Sequence, residues 1–303
     1  MGSVVVANIE KSYGNKKAPV PALKGISFEV QPGELFGIIG PDGAGKTTLF
    51  RILTTLLLAD KGTASVDGLD VVKDLKAIRK KVGYMPGRFS LYQDLTVAEN
   101  LDFFATIFNT SIEENYDLIK EIYSQIEPFK DRRAGKLSGG MKQKLALSCA
   151  LIHYPSVLFL DEPTTGVDAV SRKEFWEMLR KLKERGITIL VSTPYMDEAS
   201  LCDRVALMQQ GKLMSVNTPQ GIVDQFGKPL LAIRGANMLR LLEDLRQCSE
   251  VEDAYPFGEY HHAVMKNGFE QEQLEACLRD HGDLQIRSIE PDIEDCFMDL
   301  MKN

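Results

Sequence analysis

Apolar positions along the chain recur with two periods, and the switches between them mark out the elements. Short alternating or continuous apolar runs at residues 3 to 9, 26 to 30 and 35 to 39 predict strands, separated by turn signals at Gly14, Pro19, Pro21 and Pro32-Gly33. The third run leads into a glycine-rich turn, and a helical pattern follows from Lys46 to about Leu57. A short strand at 63 to 66 ends on Asp67-Gly68, a hairpin signal.

Between about 90 and 153 the period becomes helical. Val97, Leu101, Phe104 and Phe108 share one face, and Ile119, Ile122, Tyr123 and Ile126 share another, so this block is expected to form a helical subdomain. Strands at 156 to 160 and 187 to 192 enclose an amphipathic helix at 171 to 184, the strand–helix–strand rhythm of a parallel sheet. A hairpin follows, Val205 to Met208 with Leu213 to Val216 around Gln210-Gly211, and then a helix at 219 to 226. A first domain is therefore expected over 1 to 226. Residues 229 to 303 alternate strand, helix 238 to 247, two short strands, helix 270 to 280, strand 284 to 289 and a last helix, which predicts a small α+β appendage. The fold class is α/β.

Composition narrows the setting. With 303 residues, 44% of them hydrophobic, the chain can bury a sizeable core. The charge, 36 basic against 43 acidic residues for a net −7, gives no electrostatic reason to expect a nucleic-acid partner. No run of 18 apolar residues occurs, and Met1 through Ala7 lacks a basic stretch leading into an apolar one, so the chain is expected to stay in the cytosol. Cys149, Cys202, Cys248, Cys277 and Cys296 are far apart, and are read as reduced packing residues. The pair His261-His262 lacks partners at metal-ligand spacing and is read as a solvated loop.

Chemistry concentrates in three motifs. Gly40-Pro41-Asp42-Gly43-Ala44-Gly45-Lys46-Thr47-Thr48 fits the phosphate-loop pattern GxxxxGK[ST] and sits between a predicted strand and a predicted helix. Its glycines let backbone N–H groups close around phosphates, with Lys46 reaching the terminal phosphates, the Thr47 hydroxyl on Mg²⁺ and Thr48 as a further phosphate contact. The apolar strand Val157 to Leu160 delivers Asp161-Glu162 to the C-terminal edge of the sheet. Asp161 suits a Mg²⁺ contact and Glu162 suits polarising an attacking water, although such a pair read alone is as often a solvated turn. Leu137-Ser138-Gly139-Gly140-Met141-Lys142-Gln143 opens a helix, and read alone could be only an N-cap.

The order and spacing of all three resemble the ATP-binding cassette (ABC) ATPase family over about residues 3 to 226. The resemblance implies a P-loop cassette with a parallel-sheet core, an antiparallel β subdomain and a helical subdomain. It implies ATP and Mg²⁺ as cofactors, a second cassette and an integral-membrane permease as partners, and a place on the inner face of the cell membrane. Residue by residue, Tyr13 matches the aromatic that stacks on adenine, Ser138, Gly139 and Gly140 match groups that bind the γ-phosphate held by the other subunit, and Asp168 in Gly166-Val167-Asp168 matches a loop that touches that neighbour. The terminal segment Pro291 to Met298 resembles that of drug-exporter ATPase subunits of the daunorubicin-export type.

Two positions depart from the family pattern. Gly87 stands where a glutamine that senses Mg²⁺ and faces the permease is usual, with Gln93 able to substitute only if the loop folds back. Pro194 stands where a histidine usually contacts the γ-phosphate, and proline offers no side-chain donor. The implied function is an ATP-hydrolysing motor for export. The alternatives are an ATP-gated binding module or the slow half of a heterodimer.

Overall fold

A computed structural model describes residues 2–15 and 18–302. It divides into two units, Met1–Pro219 and Gln220–Asn303. In chain order the first holds β1 (Val4–Tyr13), β2 (Val20–Val30), β3 (Leu35–Ile39), α1 (Lys46–Leu53), β4 (Lys61–Val66), β5 (Leu69–Asp70), α2 (Leu75–Lys81), β6 (Val82–Met85), α3 (Val97–Ile107), α4 (Tyr116–Tyr123), α5 (Gly139–Leu151), β7 (Val157–Asp161), α6 (Ala169–Glu184), β8 (Thr188–Thr193), β9 (Arg204–Gln209) and β10 (Lys212–Asn217).

The central sheet has the order β10-β9-β3-β8-β7-β6, parallel from β9 to β6 with β10 antiparallel at one edge. Every residue of β3, β7 and β8 is buried, as strands covered on both faces require, which is why they read as continuous apolar runs. Phe50 of α1 meets Phe159 of β7 edge-on, 5.6 Å between ring centres, inside a core that also holds Ile38, Leu53 and Leu190. A second, antiparallel sheet runs β2-β1-β4-β5. Here β2 begins at Val20, six residues before the expected strand start, and continues through Pro21, where a turn was expected; as an edge strand it tolerates the missing N–H of proline.

Helix α1 stops at Leu53, four residues short of the expected end, because Thr55 adopts a left-handed φ of 63°. The helical block between β6 and β7 consists of α3, α4 and α5, with α3 opened by a capping box of Thr96 and Glu99. Helix α2 carried no signal in the sequence reading. Among the described residues, no helix is long and apolar enough to cross a membrane.

The division falls within the first turn of α7 (Pro219–Asp224), and β11 (Leu230–Arg234), α8 (Met238–Gln247), β12 (Val251–Phe257), β13 (Tyr260–Met265), α9 (Gln271–Cys277), β14 (Gln285–Ile289) and α10 (Ile293–Leu300) follow. Their sheet, β12-β13-β11-β14, is antiparallel throughout. One face packs Leu231, Ile233, Ala254 and Ala263 against Leu241, Leu245, Leu274 and Leu278. On the other, Asp295 of α10 accepts hydrogen bonds from the Tyr255 hydroxyl (2.8 Å) and His262 Nδ1 (2.6 Å).

Two expectations are corrected in this unit. His261 and His262 are buried on β13, His262 stacked on Phe257, and do not lie in a solvated loop. Cys248 and Cys277 are joined in a disulfide, their Cα atoms 5.9 Å apart, so only Cys149, Cys202 and Cys296 are free packing residues.

Candidate functional site

The glycine-rich loop joins β3 to α1 at the C-terminal edge of the parallel sheet, with Pro41, Asp42 and Gly43 exposed and Ala44 and Lys46 buried. Two glycines are required by space. A Cβ on Gly40 would stand 2.0 Å from the Met208 carbonyl oxygen, and one on Gly45, whose φ is 110°, would stand 2.6 Å from that of Ala22. The Lys46 ammonium donates to the carbonyl oxygens of Gly40 (2.7 Å) and Pro41 (3.1 Å) and lies 3.3 Å from Glu162 Oε1. Thr47 and Thr48 are half-buried in the first turn of α1, and the Tyr13 hydroxyl, at the end of β1, lies 3.3 Å from Thr48 Oγ1.

The two carboxylates are set by one hydroxyl that the sequence reading missed. Ser192 Oγ donates to Asp161 Oδ1 at 2.6 Å and accepts from the Glu162 amide at 3.1 Å; the same amide also donates to the Ser192 carbonyl at 3.0 Å. Asp161 is 2% exposed, whereas Glu162, just past the strand, holds a φ of 50°. A non-glycine residue in the left-handed region costs about 1–3 kcal/mol, and here the strain turns Glu162 toward Lys46. A buried serine in an apolar strand gives no periodic signal, which is why Ser192 went unnoticed.

A second cluster forms where α5 and α6 begin. Ser138 caps α5, its Oγ accepting from the Met141 amide at 3.4 Å. A Cβ on Gly139 would meet the Gly166 carbonyl at 3.4 Å, and one on Gly140 would meet Ser171 Oγ at 2.8 Å, so this turn lies against the turn that opens α6. Asp168 caps α6 by accepting from the Val170 and Ser171 amides at 3.1 and 3.0 Å, and its bonds with Ser171 hold its carboxyl below the usual range.

The two departures also have definite surroundings. Gly87 is exposed, yet a Cβ there would come 3.0 Å from the Asp161 carbonyl, so a longer side chain needs the backbone to give by tenths of an ångström. Gln93 lies against the helical block: its main-chain carbonyl accepts from the Gly135 amide at 2.9 Å, and its side-chain Oε1 would stand 3.6 Å from a Cβ on Gly135. Pro194 is half-buried in the turn after β8.

Beside this edge, β6 and the helical block enclose an apolar groove of about 370 Å³, lined by Tyr84, Met85, Leu91, Phe104, Phe108 and Ala150 among others. Burial lowers the pKa of His153 in its wall to about 4, against a bond with the Val82 carbonyl. Tyr84 is pushed up to about 12, first by burial and then by the negative charge of Asp161; it pairs with Phe159 on β7, the strand that ends at Asp161.

Comparison with known proteins agrees with this geometry. The family model described as ABC transporter matches residues 23–165. The chain is 38% identical over 289 residues to the "Probable multidrug ABC transporter ATP-binding protein YbhF" of Escherichia coli, covering 93% of this chain and 49% of that protein, so it spans about half the length of that relative. It is 35% identical over 302 residues to the "Nod factor export ATP-binding protein I" of a Rhizobium species, covering 98% of this chain and 96% of the relative. Among solved structures, a dimeric ATP-binding cassette in a post-hydrolysis state with ADP and Pi superposes with a TM-score of 0.65 at 27% identity, covering 71% of this chain and 98% of that one. With the phosphate loop, the strand-end acid pair and the capped glycine turn all in position, the chain belongs to the ABC transporter family of ATP-binding proteins.

Proposed function

We propose that this chain is an ATP-hydrolysing subunit that works as one of two cassettes and drives a separate integral-membrane permease, in the direction of export, from the inner face of the cell membrane. The observation that carries the reading is the 3.3 Å approach of Lys46 to Glu162, which brings the loop's cation and the strand-end carboxylate to one point. ATP would lay its phosphates along the amides of Gly40 to Thr48, with Lys46 on the β- and γ-phosphates and Tyr13 beside the adenine. Glu162 then orients and polarises the attacking water, its position fixed by Ser192 and its charge balanced by Lys46.

The residues fit a Mg²⁺ ion. The Thr47 hydroxyl and the Asp161 carboxylate are hard oxygen donors, which suit an ion that takes its other ligands from phosphate and water. When bound, it neutralises charge on the β- and γ-phosphates.

We assign Ser138, Gly139 and Gly140 to the γ-phosphate of an ATP held by the second cassette, and Asp168 to contact with that neighbour; a helix N-terminus with a hydroxyl cap is suited to an anion. Support for pairing and export comes from the dimeric cassette and from relatives named for multidrug and Nod factor export. The apolar groove is our candidate seat for a cytoplasmic element of the permease, since Pro86 and Ser90 in its lining flank Gly87 and its Tyr84 wall lies on the strand next to the one that ends at Asp161. Gly87 and Pro194 favour a second reading, a cassette that closes on ATP and turns over slowly.

The first test is Lys46→Ala in a calorimetric titration. No other cation of the loop can replace its two-phosphate contact, so tight ATP binding is expected to disappear. Unchanged affinity would overturn the assignment.

A further inference from the structure

Glu198 is a buried acid that the site described above does not use. It is 1% exposed, yet its Oε1 has no hydrogen-bond partner among the described residues, and a position that served packing alone would shed that desolvation cost by becoming apolar. Its Oε2 accepts from the Thr193 hydroxyl at 2.5 Å, and that hydroxyl in turn accepts from the Tyr195 amide at 3.1 Å. Oε1 faces Arg172, whose Nε is 4.0 Å away and whose guanidinium lies over the Tyr195 ring, 4.7 Å from its centre. The turn that carries Pro194 is therefore clamped from both ends.

The clamp continues into the phosphate loop. The Thr193 carbonyl accepts from the Gly40 amide at 3.2 Å, the Gly40 carbonyl accepts from Lys46 Nζ at 2.7 Å, and Lys46 lies against Glu162. Gly40 has no slack on its far side, where the Met208 backbone leaves no room even for a Cβ. A shift of Thr193 by a few tenths of an ångström must therefore move Gly40, and with it the lysine hung from its carbonyl.

We propose that Glu198 is a positioning residue for ATP turnover, holding Thr193 so that Gly40 and Lys46 stay in register with Glu162. The proposal rests on the reading of the chain as an ATPase. Glu198 reaches Lys46 only through Thr193 and Gly40, so its loss acts mainly on the transition state, which is the more sensitive to small displacements, and little on ATP binding.

The test uses the full chain with Glu198→Ala, Glu198→Gln, Thr193→Val, Thr193→Ser and the double variant Glu198→Ala/Thr193→Val. Three quantities are read: ATP affinity by calorimetry, phosphate release at saturation, and amide exchange of the segment carrying Gly40 without nucleotide. Glu198→Ala and Thr193→Val are each expected to lower turnover by ~10-fold or more, to leave ATP affinity within ~3-fold, and to speed exchange at Gly40 by ~10-fold. The double variant should be within ~2-fold of the worse single one, because both remove the same bond. Glu198→Gln and Thr193→Ser keep that bond and should restore turnover to within ~3-fold of the parent.

Additive losses, unchanged Gly40 exchange, or a lowered melting point with normal turnover per folded molecule would each overturn the proposal. If Glu198→Ala does not fold, Thr193→Val set against Thr193→Ser decides on the same three readings. If the parent chain releases no phosphate, the ATPase reading fails, while faster Gly40 exchange in both variants still supports the clamp and unchanged exchange still refutes it.

Discussion

At the scale of single residues, much of the site's geometry comes from side chains that carry no motif. Ser192 orders both strand-end acids with one hydroxyl, and the left-handed backbone of Glu162 turns it to Lys46. On the ATPase reading proposed above, Pro194 stands where a donor to the developing negative charge would act, and it has neither N–H nor a side-chain donor. Replacing it by histidine returns a donor at the end of β8. A well-placed donor to transition-state charge contributes on the order of 3 kcal/mol, so Pro194→His is expected to raise phosphate release by up to ~100-fold. Release unchanged, with ATP affinity intact, would mean that another group already fills the role.

Among the elements, α10 buries Ile293, Cys296 and Phe297 and is bonded to its sheet through the Asp295 carboxyl. Burial pushes Asp295 up, but bonds from His262, the Asp292 backbone and Tyr255 outweigh it and hold its pKa below the ordinary value. A group depressed in this way stabilises the fold above its unfolded pKa near 4, and the contribution fades as pH falls through the depressed value. Asp292 is pushed the other way, chiefly by burial, so the comparison that isolates Asp295 is with Asp295→Asn. That variant is expected to melt lower at neutral pH and to lose less on acidification between about pH 5 and 3. Parallel melting curves for the two proteins would contradict this.

Most elements were legible because their period was unambiguous. The apolar strands β3, β7 and β8, the helices α6 and α8, and the alternation in the second unit all stand close to where the pattern put them. What escaped was decided by contacts distant in sequence. His262 looked solvated because its partner, Asp295, lies 33 residues on, and the Cys248–Cys277 pair spans 29 residues with no motif around it. The site's loop and acids were legible from local sequence, whereas Ser192 and Glu198 were not, since a polar residue inside or after an apolar strand looks like an interruption until its partner is seen.

For the molecule as a whole, the division between Pro219 and Gln220 leaves every residue assigned to nucleotide on one side. We propose that the first unit folds and binds ATP alone, and that a chain ended at residue 226 keeps a cooperative melt and the parent's ATP affinity. Loss of either would place part of the nucleotide unit's stability in the second one. The central claim, that this is a motor and not only an ATP-gated clasp, rests on Glu162 acting on water. The most direct measurement is phosphate release by the purified chain beside its Glu162→Gln form, at equal and saturating ATP. The account predicts steady release by the parent chain, a fall of ~100-fold or more in the variant, and ATP affinity preserved in both. Equal rates in the two proteins, or no release from the parent above that of Lys46→Ala, would contradict it.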